Sequence, residues 1–288
     1  MAEHALPYRQ WLQHAAERLQ PLYDAAEAKA IARQALMAAT GMAAHALALS
    51  PNAVPQPHVA AQLAAWLARL QNGEPLQYIT GKAYCMGLEF IVTPAVLIPR
   101  PETEELIQWT VATVQQAPQQ RVLDVGTGGG CIAVALAKLL PQAAITAWDV
   151  SADALSVARQ NAAHHNVAIT FEQVDVLQTA ATSGQPFTAI VSNPPYIPPA
   201  EAPTLHRNVR DYEPHLALFT PTADALVFYR QLAVMGRVRL TDGGWLLVEV
   251  HAPLAEQVVQ LFEAEGYANI TLRPDLQGRP RMVRAQRA

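Results

Sequence analysis

The sequence predicts an α/β protein built on a doubly wound, mainly parallel sheet, with a small helical domain ahead of it. Two observations carry this reading. From Arg121 onward, short apolar runs alternate with segments of helical periodicity, the pattern of parallel strands covered on both faces. Before about Asn72 the apolar spacing is helical throughout, without that alternation. The natural division is a helical domain over 1–75, a β-hairpin linker over 76–99 and the sheet domain over 100–288.

In the first part, Trp11, Leu12, Ala15 and Leu19, then Ile31, Ala35 and Leu36, then Leu63, Trp66, Leu67 and Leu70 recur at helical spacing. Pro51, Pro55 and Pro57 interrupt the pattern before the last helix. The run Ala83 to Val92 has strand-like composition around Gly87 and predicts a hairpin. Arg100 and the acids Glu102 to Glu105 open a helix through Trp109 and Val114, with acids in the first turn as partners of the helix dipole. Arg100, Glu102 and Glu104 are also candidates to touch a ligand. There follow strand 121–125, helix 131–140, strand 144–149, helix 152–165, strand 169–174 and strand 187–192. A helix over 223–239, strand 244–250, helix 253–265 and two last strands, 268–273 and 281–285 around Gly278, complete the chain. His164 and His165 read as a solvated helix end favoured by the dipole.

Composition bounds the function. A chain of 288 residues that is 51% hydrophobic can bury a real core in two domains. A formal charge of -4 and a pI of about 6.1 lack the basic footprint of a protein living on nucleic acid. The N-terminus has no basic flank before an apolar core, and no run is long enough to span a bilayer. Cys85 and Cys131 sit in dissimilar settings and nothing pairs them, which favours a reducing cytoplasm. The histidines show no metal-ligand spacing.

The chemistry concentrates where apolar runs stop. Phe187 to Ser192 ends at Asn193-Pro194-Pro195-Tyr196, and two prolines terminate a strand abruptly. The Asn193 side-chain oxygen and the Pro194 carbonyl are two acceptors that suit the hydrogens of an NH2 group, with Tyr196 offering a flat face. The bland alternative is a turn in which Asn193 caps backbone groups. Upstream, Arg121-Val-Leu-Asp-Val runs into Gly126-Thr127-Gly128-Gly129-Gly130, where the backbone can approach a ligand closely. Cys131 occupies the place of the last glycine of a dinucleotide fingerprint, and no Walker lysine follows, so neither phosphate reader is present. Asp149 closes the next strand, where an acid can take two ribose hydroxyls, or can be a solvated strand end beside a helix cap. Asp175 closes the one after, where it and the Val176 backbone can meet an adenine edge, or where Asp175 can bond its own loop. Adenosine without a pyrophosphate fits this set, and S-adenosylmethionine is the common cofactor of that description.

The glycine loop, Asp149 and N-P-P-Y together resemble the class I S-adenosylmethionine-dependent methyltransferases that modify planar amino groups. The segment Leu97-Ile-Pro-Arg-Pro-Glu-Thr-Glu-Glu-Leu106 resembles the signature of the peptide chain release factor glutamine methyltransferases, and 73–81, 87–90 and Glu213-Pro214 agree. The resemblance implies a seven-stranded, mostly parallel sheet with an antiparallel edge strand. It also implies methylation of N5 of the glutamine in the Gly-Gly-Gln loop of class 1 release factors, with no direct nucleic-acid binding expected. Carried over by position, Gly126 to Gly130 cradle the methionine end of the cofactor, Asp149 the ribose, and Asp175 with Val176 the adenine. Asn193 to Tyr196 hold the glutamine, Asn193 standing next to the cofactor as well. The helical domain helps to grip the protein substrate. Gly129 departs from the family, which often has Thr or Ser there, as does Val-His-Ala after Glu249, where relatives often have a Gly.

Direct in-line transfer needs alignment more than a strong base. Asn193, Pro194 and Tyr196 are therefore the expected catalytic residues, with Glu249 and His251, two apart on a strand, as alternative bases. Three rival functions are methylation of a ribosomal-protein glutamine, amino methylation of a nucleic-acid base, and a non-catalytic binding module. Arg207 and Arg210 either contact an acidic partner surface or are solvated loop charges.

Overall fold

A computed structural model of the chain describes residues 6–117, 119–178 and 184–288. The start of the N-terminal stretch analysed above, residues 1–5, lies outside them. The chain divides into two compact units, one running to Gly81 and including Arg207–Tyr212, the other Lys82–His206 with Glu213–Ala288.

The first unit holds helices α1 (Tyr8–Leu19), α2 (Ala25–Thr40), α3 (Ala44–Leu49), α4 (Pro57–Gln71) and α5 (Leu76–Thr80). Local chemistry sets their ends. Asp24 caps α2 by accepting from the Ala26 and Glu27 amides, and Pro57 occupies the first turn of α4. Leu19, Leu36, Leu63 and Leu70 are buried at the centre of its core. The segment from Leu76 opens as helix α5, so strand structure in the expected 76–99 hairpin begins only at Lys82.

The second unit begins with the hairpin β1 (Lys82–Cys85) and β2 (Leu88–Ile91), turning at Met86 and Gly87. Its remaining elements are α6 (Pro101–Val114), β3 (Arg121–Val125), α7 (Cys131–Leu139), β4 (Ala144–Asp149), α8 (Ala152–His164), β5 (Thr170–Gln173) and β6 (Phe187–Ser192). After the short helices α9 (Arg207–Arg210, which belongs with the first unit) and α10 (His215–Leu218) come α11 (Val227–Arg239), β7 (Leu240–Glu249), α12 (Ala255–Ala264), β8 (Tyr267–Pro274) and β9 (Pro280–Arg287). Helix α11 starts later than the sequence pattern suggests because Asp224 bonds the Leu226 amide in a turn.

The seven-stranded sheet has the order β5-β4-β3-β6-β7-β9-β8. Five strands are parallel, and β9 runs antiparallel between β7 and β8. Side-chain parity explains why it is wound on both sides. Val122, Ala189, Val191 and Leu247 join the core shared with α6 and α7, while Leu123, Val125, Ile190, Leu246 and Val248 join the one shared with α11 and α12. The chain moves outward from β3 to β5 and returns to β6 on the other side of β3, so the strand order reverses between β3 and β6. A crevice opens at such a reversal, beyond the C-terminal ends of the strands.

Candidate active site

The glycine loop leaves β3 and the N-P-P-Y loop leaves β6, which places both at that crevice. The cavity there measures about 660 Å³, the size of a small-molecule site, and Gly126, Gly128, Asp149, Asp175, Val176, Asn193, Pro194 and Pro195 are among its lining residues. The two strand ends are cross-linked by the Ser192 hydroxyl, which donates to the Val125 carbonyl at 2.7 Å.

At the glycine end the backbone makes the wall. The amides of Gly126 and Thr127 both donate to the Trp148 carbonyl, folding the loop over the end of β4. Gly128 holds φ 55, a left-handed conformation that side chains resist, and a Cβ built on it would meet nothing within 4 Å. Its missing side chain is open space in the cavity wall. Gly130 is glycine for a different reason: at φ 84, a Cβ would lie 3.1 Å from the Ala158 Cβ of α8. One carboxylate oxygen of Asp149 accepts from the Gly128 amide (2.8 Å) and the other from the Ser151 amide (2.9 Å). Burial pushes the Asp149 carboxyl up in spite of those bonds. Asp175 accepts from the Leu177 amide (2.9 Å) and from Gln178 (2.7 Å), so the local loop role foreseen for it coexists with a place at the cavity.

Asp124 and Asn161 carry this end without having been singled out in the sequence. Asp124 is fully buried on the α7 face of β3, where it accepts from the Thr127 hydroxyl (2.6 Å) and the Ala133 amide (3.2 Å). Burial raises its carboxyl to about 7. Asn161 of α8 accepts from the Ile91 amide (2.7 Å) and donates to the carbonyls of Ile91 (3.0 Å) and Gly129 (2.8 Å). It thus ties the hairpin to the glycine loop. The available signal was polarity at a core-facing position: an acid inside the apolar run 122–125, and an amide in line with Ala154 and Ala158.

At the other end side chains make the wall. Asn193 Nδ2 donates to Thr103 Oγ1 (3.2 Å), whose hydroxyl donates to Glu249 Oε2 (2.8 Å). Parity on β7 turns Glu249 to the same side as Leu247, toward α6, and burial raises its carboxyl to about 7. Tyr196 stands elsewhere than the sequence suggested. Its hydroxyl donates to Glu249 Oε1 (3.4 Å), its ring stacks on His251 at 5.6 Å and 9°, and of the N-P-P-Y residues only Asn193, Pro194 and Pro195 line the cavity. The expectation that Glu249 and His251 share a strand is corrected too: β7 ends at Glu249, and His251 lies beyond it, 3.3 Å from Glu201. Neither is among the cavity-lining residues.

The Pro101-Glu-Thr-Glu segment fastens this end to the fold. Arg100 meets buried Glu213 at 2.6 Å, Glu104 accepts from the Met86 amide (2.9 Å) and Glu105 from the Leu276 amide (3.0 Å). Of the three ligand candidates there, Arg100 borders the cavity and Glu102 and Glu104 do not. Two other expectations change. His165 is half-buried, donating from Nε2 to the Glu89 carbonyl at 2.7 Å, so it is no solvated helix end. The Cys85 and Cys131 thiols are hydrogen-bonding neighbours; that bond and burial hold the Cys131 thiol well above its usual range, which suppresses its reactivity. Arg207 and Arg210 both pair with Asp211, at 3.3 and 2.7 Å.

A mostly parallel seven-stranded sheet in this order, with its cavity at the reversal between β3 and β6, is the architecture of class I methyltransferases, whose methyl donor is S-adenosylmethionine. The comparisons agree. Residues 107–211 match the "Methyltransferase small domain" family and residues 10–81 the "PrmC N-terminal domain" family. A solved structure of the hMettl16 catalytic domain in complex with the MAT2A 3'UTR hairpin 6 has the same fold, with a TM-score of 0.55, 16% identity and coverage of 80% of this chain and 81% of that one. The release factor glutamine methyltransferase of Bacteroides thetaiotaomicron is 38% identical over 94% of this chain and 97% of its own length. That of Chlorobaculum tepidum is 46% identical over 74% of each chain. The chain belongs to the release factor glutamine methyltransferase family.

Proposed function

We propose that this enzyme methylates the side-chain nitrogen, N5, of the glutamine in the Gly-Gly-Gln loop of class 1 peptide chain release factors. The observation that carries the reading is the Asn193 amide: its nitrogen is taken by Thr103, and among the described residues its oxygen has no donor. An incoming carboxamide N–H can supply one. The Pro194 carbonyl, followed by a residue without an N–H, is the second acceptor.

S-adenosylmethionine supplies a methyl group already electrophilic on its sulfonium. The residues present fit it, because Gly126 and Gly128 leave open space where side chains would stand and Asp149 offers carboxylate oxygens beside that space. In this reading Gly126, Thr127, Gly128, Gly129 and Gly130 hold its methionine end, Asp149 the ribose, and Asp175 with Val176 the adenine. Asn193 and Pro194 orient the glutamine nitrogen and become stronger acceptors as positive charge develops on it, a stabilisation specific to the transition state. Pro195 shapes the wall beside them. Tyr196 acts through Glu249 from behind that wall. The N-P-P-Y loop is held in place by Ile197, which pairs with Phe219 and bonds Leu218 and Thr220. The proton leaves to water after transfer, so no base is needed at the nitrogen. The helical unit is assigned to gripping the protein substrate.

The test is mass spectrometry of a purified release factor and its loop Gln→Ala variant after incubation with enzyme and S-adenosylmethionine. One methyl mass on the loop glutamine, absent from the variant, is the expected result. Transfer to the variant, or none to either, would refute the assignment.

A further inference from the structure

The mechanism needs the Asn193 oxygen, not its nitrogen, to be the free end of the amide. An asparagine side chain is nearly symmetric in shape, so something must choose. We propose that Thr103 and Glu249 are positioning residues that make this choice through a directional hydrogen-bond relay. The proposal rests on the acceptor role assigned above to Asn193.

A threonine hydroxyl has one hydrogen and two lone pairs. An ionised Glu249 can only accept, so at 2.8 Å the Thr103 hydrogen is committed to it. What Thr103 then presents to Asn193, at 3.2 Å, is a lone pair, and only the Nδ2 end of the amide can use it. The oxygen is therefore turned to the opposite side. Protonation of Glu249 removes the direction: the acid donates to Thr103, the threonine hydrogen is released, and the amide can rotate so that its oxygen accepts from Thr103. The free end would then carry N–H groups, which repel those of the glutamine.

The surroundings of Glu249 permit that switch near neutrality. Burial favours its neutral form; Arg281 on β9, Thr103 and the Tyr196 hydroxyl favour the charged form, and Glu102 on α6 opposes it. Tyr229 of α11 donates to the Glu249 backbone carbonyl at 3.2 Å, and the Cys131 thiol of α7 also faces the carboxylate. The balance leaves the carboxyl at about 7, so the productive orientation grows as pH rises through that value.

The relay is tested by NMR of the Asn193 side-chain NH2 group in the whole chain, identified by its loss in Asn193→Asp, with kcat and KM measured in parallel. Wild type and Thr103→Ser should show an NH2 signal that titrates with a midpoint near 7, and a kcat that rises about tenfold or more over the same pH range with KM nearly constant. Thr103→Val and Glu249→Gln should lose the titration and that limb of kcat while keeping S-adenosylmethionine affinity, which certifies their fold. A titration unchanged in Thr103→Val, or absent in wild type, overturns the relay. An intact relay titration without transfer to any release factor would instead overturn the substrate assignment and leave the relay standing.

Discussion

The two ends of the cavity are built by different means. The glycine end is backbone: left-handed residues and amides pointed by the loop itself, over a stretch of five residues. The Asn193 end is side chain: Asn193 and Thr103 meet across 90 residues of sequence, Thr103 and Glu249 across 146, and Arg100 and Glu213 across 113. Each rests on a buried carboxyl raised to about 7, Asp124 below the glycines and Glu249 behind Asn193. The first construction is short-range and set by the backbone of one loop. The second is long-range, and in the reading proposed above it sets the direction of one amide at the end where the methyl would be transferred.

Asn193 is the residue on which the side-chain end depends most. Asn193→Ala should lower kcat about 10²- to 10³-fold, as loss of an oriented transition-state partner does. S-adenosylmethionine affinity measured by calorimetry should stay within about threefold; an equal loss of both would make Asn193 part of the cofactor end.

The next largest effect concerns the buried acid of the glycine end. Because burial raises the Asp124 carboxyl from its ordinary value to about 7, the folded state holds that proton more tightly than the unfolded chain does. Its stabilising contribution is complete below about pH 4 and is lost as pH rises to about 7. Asp124→Asn keeps a side-chain acceptor without the charge. It should gain on wild type over that window by roughly 2 to 4 kcal/mol, read from chemical denaturation at pH 5 and pH 8. A difference independent of pH would show that the Asp124 carboxyl titrates alike in the folded and unfolded chain and is not raised by burial.

A smaller effect separates two glycines of one loop. Gly128→Ala should weaken S-adenosylmethionine binding about tenfold, its methyl standing in the cavity, with a modest strain of about 1 kcal/mol. Gly130→Ala should instead lower the melting temperature more than Gly128→Ala does, because it presses on Ala158. Calorimetry and thermal unfolding of both variants would show whether the split exists; identical behaviour would merge the two roles. The smallest effect sharpens the frame: Asp224→Asn, which breaks an exposed pair with Arg230, should cost less than about 0.5 kcal/mol and change neither end.

The features legible in the amino-acid order are local. Strands 121–125, 144–149 and 187–192 appear with the bounds expected, and Gly126 ends the first and Pro194 the last because glycine and proline impose their conformations locally. For the same reason the two loops that border the cavity were legible as candidates, and the mostly parallel sheet followed from alternation. Side-chain partners depend on packing between distant segments. Tyr196 went to Glu249 and His251, His165 to the Glu89 carbonyl, Cys85 to Cys131, and Thr103, an ordinary first-turn residue in the sequence, to the centre of the acceptor end. A hydrogen bond depends on position within a few tenths of an ångström. That precision arises only when segments a hundred residues apart pack against one sheet, and no local pattern encodes it.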